Sequence, residues 1–173
     1  MKTLLPFSPN SLNIHVEGEI VKQGHLFLLQ FSLLDPAKAV LDSLSDGNWK
    51  SWDRADDLWK TTCFEAFITE PGKDHYWEVN LSPAKQKWNV YAFEGYRQPQ
   101  PPQASEDFEM IDIQVRREIL NCTLKAKVEV NPEFESNLTT VIRTQEGISY
   151  YALHHAPSKP DFHYRRGMCR SEF

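Results

Sequence analysis

Two neighbouring segments, residues 58–68 and 76–83, change character at every second residue. In the first, Phe64, Ala66 and Ile68 fall on one side, and Thr61, Cys63 and Glu65 on the other. In the second, Trp77, Val79 and Leu81 oppose Tyr76, Glu78, Asn80 and Ser82. Extended backbone sends successive side chains to opposite faces, so both segments read as β-strands. Pro71, Gly72, Lys73 and Asp74 between them supply a turn. Paired as a hairpin, the strands present one apolar face and one that gathers Glu65, Glu78 and Asn80, with aromatic residues at its ends. Such a face can hold a polar small molecule.

The rest of the chain repeats the pattern. In residues 12–20, Leu12, Ile14, Val16 and Ile20 alternate with polar partners. Residues 26–34 are almost continuously apolar, which predicts a central strand covered on both faces. Asp35 and Pro36 predict a helical turn through Ala37 to Leu44, since Asp suits an N-cap and Pro the first helical position. A polar loop carrying Trp49 and Trp52 follows. Residues 88–93 read as a third strand beside the hairpin, and Pro99, Pro101 and Pro102 mark an irregular connection. Beyond it, Ile111, Ile113 and Val115 alternate with polar residues, and residues 120–130 do so most regularly. Residues 138–144 and 148–154 complete about nine short strands with no long helix. That pattern predicts an all-β fold, an antiparallel sandwich. A chain of 173 residues suits one domain spanning 1–173.

Charge and composition exclude some classes. A net charge of −5 argues against a general nucleic-acid binder, which needs a basic footprint. No run approaches the roughly 18 apolar residues of a membrane helix. The first residues lack the apolar stretch of a signal peptide, so a cytoplasmic protein is expected. Cys63, Cys122 and Cys169 form no closely spaced pair, so neither zinc nor a redox dithiol is expected. Reduced thiols are the expectation.

Four groups of residues can carry chemistry. Glu65, Glu78 and Asn80 offer acceptors and donors to hydroxyl groups, or are an ordinary solvated face paired to Lys and Arg. All five tryptophans lie between residues 49 and 88. Trp77 has core parity, whereas Trp59, Trp49 and Trp52 sit in or beside the loop. They can stack on a sugar ring or close the end of the core. The tail carries His154, His155, Lys159, Asp161, His163, Arg165 and Arg166. It can receive an acidic group of a ligand, or pair with Glu65 and Glu78 and pin the tail. Tyr91, Tyr96 and Arg97 are the fourth group, with Arg97 either an anion clamp or a surface residue. No Gly-rich phosphate loop, GxSxG elbow or HExxH motif is present.

Several blocks together resemble the DOMON-like proteins, relatives of the family 9 carbohydrate-binding modules. They are residues 58–67, Glu78 to Pro83, residues 88–93, Gly95-Tyr96-Arg97, and Tyr151 to His163. The resemblance spans about residues 57–166 and implies a jelly-roll-like sandwich with ligands at one sheet face. Related members bind sugars between tryptophans, for which Trp59 is the candidate wall here. Others bind haem through Met and His, and Met1, Met110 and Met168 offer no partnered position, so haem is not expected.

The leading expectation is a non-catalytic binder of a carbohydrate or sugar-like small molecule. Its ligand-binding residues are Trp59, Glu65, Glu78, Asn80, Tyr91, Arg97, His154, Lys159, Asp161 and His163. No metal or cofactor is expected, nor a nucleic-acid or membrane partner. The alternatives are an enzyme using Glu65 or Glu78 with a tail histidine as acid–base pair, and a protein-interaction module built on the Trp-rich loop.

Overall fold

The alternating segments form strands and pair into two stacked, curled sheets. The structure, a computed structural model, describes residues 1–9, 12–40, 47–49, 52–116 and 118–170. The strands are β1 (Lys2–Pro6), β2 (His15–Gln23), β3 (Leu26–Leu34), β4 (Gly47–Trp49), β5 (Asp53–Arg54), β6 (Cys63–Thr69) and β7 (Tyr76–Ser82). They continue as β8 (Lys87–Phe93), β9 (Gln103–Ala104), β10 (Phe108–Arg116), β11 (Ile119–Ala126), β12 (Glu135–Thr144), β13 (Gly147–Ala152) and β14 (Cys169–Arg170). The only helical pieces among the described residues are three short 3₁₀ turns, at Leu58–Lys60, Pro83–Lys85 and Arg165–Gly167. None is long and apolar enough to cross a membrane.

One sheet runs β4-β10-β11-β3-β2-β1, and the other β1-β13-β12-β6-β7-β8-β5. Strand β1 joins them. Lys2, Thr3 and Leu4 pair with β2, and Leu5 and Pro6 with β13. All the pairings are antiparallel except the short one between β5 and β8, so the second sheet is mixed. The architecture is the expected all-β, jelly-roll-like sandwich.

Register settles which residues share a face. Phe64 lies opposite Leu81, Ala66 opposite Val79, and Ile68 opposite Trp77. These side chains meet Phe27, Leu29 and Phe31 of β3 and Leu120, Cys122 and Leu124 of β11 between the sheets. Full burial of one such aliphatic or aromatic side chain stabilises by about 1.5–3 kcal/mol. Trp77 is in this core, as its parity predicts.

The sheets approach closely at Gly18 of β2. A Cβ there would stand 2.9 Å from Leu138 Cδ1 and 3.2 Å from Phe31 Cδ1. Gly18→Val is therefore expected to lose about 1–3 kcal/mol through overpacking, readable as a lower urea midpoint with unchanged slope.

Three sequence expectations need correction, and one open alternative closes. The apolar strand β3 is covered on one face only, with Phe27, Leu29, Phe31 and Leu33 buried and the alternate residues open. Both-face coverage belongs instead to β6 and β7, where every residue is buried. No helix starts at Pro36. The Asp35 carboxylate accepts a hydrogen bond from the Val40 N–H at 2.8 Å and closes a turn, while residues 41–46 lie outside the described part. Of the two readings open for Trp52, core-closing is the one realised: it is 3% exposed and packs in the core. The side chain of Trp49 lies outside the description. Finally, a β-bulge between Met110 and Asp112 shifts the register of β10, leaving Ile111 48% exposed.

Candidate functional site

The outer face of β6, β7 and β8 is the face that carries the polar hairpin residues. Cross-strand register sets Glu65 opposite Asn80, and Glu78 opposite Phe67 and Tyr91. From β12, Thr139 stands opposite Glu65. Two features cover this face. The segment carrying the 3₁₀ turn Leu58–Lys60 buries Leu58 on it, and the tail packs Phe162 and Met168 against Phe67, Tyr76 and Phe93. The expected solvated face is thus enclosed, because the turn just before β6 and the distant tail fold over it.

Under the cover lies a cavity of about 570 Å³. Glu65 and Glu78 line it together with Phe67 from the floor, Trp59 from the short helical turn, and Arg97 and His163 from the covering loops. Trp59 is half exposed at 50%. A tryptophan so placed presents an apolar ring to a ligand at little cost in stability.

Hydrogen bonds orient the floor. Thr139 Oγ1 donates to Glu65 Oε2 at 3.1 Å, and Asn80 Nδ2 donates to Glu78 Oε1 at 2.8 Å. The Cys63 thiol reaches Asn80 Oδ1 at 3.4 Å. Glu65 is 2% exposed, and its Oε1 has no hydrogen-bond partner. On the tail side, Tyr76 Oη lies 2.8 Å from His163 Nδ1 and accepts the Arg97 N–H at 3.2 Å. The pattern closes if Tyr76 donates to Nδ1. The imidazole proton then sits on Nε2, which faces Glu78 Oε2 at 3.7 Å, too far for a hydrogen bond.

Asp161 pins these pieces together. Its carboxylate accepts from Tyr96 Oη at 2.6 Å, Arg97 Nη2 at 3.0 Å and the His163 N–H at 3.2 Å. Arg97 takes a left-handed backbone at φ 53°. There its N–H meets Tyr76 while its guanidinium meets Asp161. On the opposite wall, Asp56 accepts from Tyr91 Oη at 2.7 Å and from Asn89.

Burial dominates the electrostatics. Burial, and then the neighbouring Glu78, pushes the Glu65 carboxyl well above its ordinary range, against the Thr139 bond and the Cys63 thiol. Burial raises Glu78 to about 7, although the Asn80 bond and the Arg97 charge work the other way. Burial, helped by Arg97, lowers His163 to about 3. Burial also lifts the Tyr76 phenol to about 12. Near neutral pH the cluster therefore holds a Glu65 biased toward its protonated form, a neutral His163 and a Glu78 close to its midpoint. Because His163 is neutral, its 3.7 Å contact with Glu78 is not an ion pair. At Asp161, burial works upward, but its bonds from Tyr96 and Arg97 outweigh it and keep the carboxylate ionised.

Of the ten predicted residues, Trp59, Glu65, Glu78, Tyr91, Arg97 and His163 line the cavity. Asn80 is buried beneath Glu78, and Asp161 stands behind Arg97. Lys159 is exposed and pairs with Asp161 at 3.5 Å. His154 is exposed and does not line the cavity, and its backbone is tied to Asn137. Sequence reasoning missed Phe67, Phe93 and Asp56. Phe67 shares the parity of Glu65 and was legible on that ground. Asp56 carried no periodic signal.

The fold is shared with a protein from Bacteroides uniformis ATCC 8492, provisionally designated carbohydrate-binding. The match covers 96% of this chain and 84% of that one, with a TM-score of 0.56 and 11% sequence identity. No family model matches the sequence, and no curated protein matches it.

Proposed function

We propose that this chain binds a carbohydrate or sugar-like small molecule, without transforming it, in the cavity over β6, β7 and β8. One observation carries the reading. An enclosure of about 570 Å³ joins the half-exposed ring of Trp59 to two buried carboxyls, Glu65 and Glu78. Small-molecule sites are concavities of this size with apolar walls and a few convergent polar groups. Sugars need that mixture, a flat apolar surface for their C–H face and strong acceptors for their hydroxyls. The carbohydrate-binding designation of the structural neighbour supports the same class, as does the DOMON-like resemblance, which implies a ligand on one sheet face.

The test is a thermal-shift panel of mono- and oligosaccharides, sugar acids and nucleotide sugars. A ligand specific to the native state, at a hundredfold excess over its dissociation constant, stabilises by about 2.7 kcal/mol. Trp59→Ala is expected to weaken that ligand roughly tenfold, about 1.4 kcal/mol. Its own unfolding free energy should stay within about 0.5 kcal/mol, since the ring is an exposed one. A panel with no shift, or a Trp59→Ala protein that binds as tightly as the native chain, counts against the reading.

A second reading has its own support. A carboxyl near pKa 7 beside a second carboxyl is the arrangement of an acid–base pair. It requires turnover of a sugar that binds, seen by NMR on prolonged incubation and lost in Glu78→Gln. Bound ligand recovered unchanged favours the binding protein.

A further inference from the structure

The two floor carboxyls are only half used. Thr139 holds Glu65 Oε2 and Asn80 holds Glu78 Oε1, and in both bonds the carboxyl oxygen is the acceptor. The remaining oxygen of Glu65 is buried without a partner, and that of Glu78 has only the distant His163 Nε2. A buried polar oxygen left open is costly, and once its carboxyl ionises it is an acceptor for an incoming donor. The other charged side chains lining the cavity are already engaged. Asp56 holds Tyr91 and Asn89, Asp57 pairs with Lys60 at 2.7 Å, and Arg97 pairs with Asp161. Arg97, the cation in the lining, is committed to Asp161, and its charge only partly offsets the burial of Glu78.

Geometry and walls suit one kind of donor. Glu65 sits opposite Asn80, two residues along β7 from Glu78, so the two acids are diagonal neighbours. Such Cα atoms lie about 7–8 Å apart, within the span of a single ammonium and its three N–H donors. Phe67, Tyr91, Phe93 and Phe162 surround the site with rings, which attract a cation through their faces.

We propose that the ligand carries an ammonium group, as an amino sugar does, and that this group docks against Glu65 and Glu78. The proposal rests on the sugar-binding reading of the same cavity and names the ligand class. A cation there favours the ionised form of each carboxyl and offsets their mutual repulsion. Binding therefore releases a proton to solvent and strengthens as pH rises. The titratable and charged groups facing the pair are Cys63, Tyr76 and Tyr91 from the strands, Asp56 and Asp57 from one wall, and Arg97, Asp161 and His163 from the other. Burial moves Cys63, Tyr76 and Tyr91 upward and His163 downward, away from neutrality, which leaves the two carboxyls, Glu65 and Glu78, as the groups that supply the proton.

The test is titration calorimetry at pH 6.0 and 7.5, in two buffers of different ionisation enthalpy. The probes are 6-amino-6-deoxyglucose, glucosamine, glucose, N-acetylglucosamine and cadaverine. The alkyl ammonium of 6-amino-6-deoxyglucose stays charged across this range. The better amino sugar is expected to bind at least tenfold tighter than glucose at pH 7.5. For 6-amino-6-deoxyglucose, affinity should rise severalfold from pH 6.0, with net proton release. The preference should vanish in the Glu65→Gln, Glu78→Gln double variant, whose folding is checked by its melting temperature. Glu65→Gln alone, with a smaller loss, serves if the double variant does not fold. Glucose binding as tightly as both amino sugars overturns the inference while leaving the sugar-binding reading in place. Cadaverine binding where no sugar binds supports the ammonium site and overturns the sugar reading. Binding by none of the five overturns both, and an amine preference that survives the glutamine variants overturns the assignment to Glu65 and Glu78.

Discussion

Glu78→Gln is expected to be more stable than the native chain at pH 8, by about 3 kcal/mol, with the advantage shrinking to about 1 kcal/mol near pH 5. The cause is the burial that lifts the Glu78 carboxyl from 4.5 to about 7. Between those values the folded chain keeps a proton that the unfolded chain has released. Raising the pH then favours the unfolded state, and the loss is complete once pH passes the folded value. Glutamine keeps the acceptor for Asn80 without an ionisable proton, so its stability lacks this decline. Glu65, also raised by burial, acts in the same direction. His163 has the opposite sign. Its folded value of about 3 lies below the ordinary 6.5, so its contribution is present above 6.5 and is lost as pH falls toward 3. The two arms together place maximal stability between about pH 4.5 and 6.5. Urea unfolding of both proteins at pH 5, 6.5 and 8 measures this. Parallel pH profiles for the native chain and Glu78→Gln would show that Glu78 is not held protonated by burial.

Phe27→Ala should be the most damaging single truncation, with a loss of about 3–5 kcal/mol. The Phe27 ring is fully buried between the sheets. It meets Phe108 and Phe134 edge-on, with centroids 5.6 Å and 5.3 Å apart. Removing it forfeits the transfer of a whole ring from water and both edge contacts. It also leaves a cavity that strands held by continuous hydrogen-bonded ladders cannot close. The loss is a large share of the roughly 5–15 kcal/mol that holds a typical domain together. Chemical denaturation checks it. A cost below about 1 kcal/mol would mean that the core collapses around the gap.

Periodicity carried most of what the sequence could say about the fold, and it stopped at the sheet surface. The alternation of Phe64, Ala66 and Ile68 against Glu65, and of Trp77, Val79 and Leu81 against Glu78 and Asn80, named the core face correctly. It could not say that the other face is covered, because the cover comes from Phe162 and Met168, far away in the chain, and from Leu58, which turns out of the strand it seemed to begin. The same limit exchanged the roles of β3 and β6. An apolar run such as residues 26–34 looks doubly buried, while Cys63 to Thr69 looks half wet, and the tail decides otherwise. Trp52 stayed open between stacking and core because an aromatic residue in a polar loop carries no signal of where the loop turns. Ile111 was misplaced because a bulge moves parity by one residue without marking the sequence. At the site, strand residues were legible through shared parity. Those in loops, such as Asp56, required the folded chain.

Every residue of β6 and β7 is buried, so one layer is both the wall of the core and the floor of the cavity. That floor is preorganised. Its side chains have already lost their rotamer freedom on folding, and a ligand does not have to order them again. The entropic penalty of capture is then confined to the half-exposed Trp59 and the covering loops. On the proposed reading, selectivity resides in the rigid floor, and the rate of entry and escape in the rim.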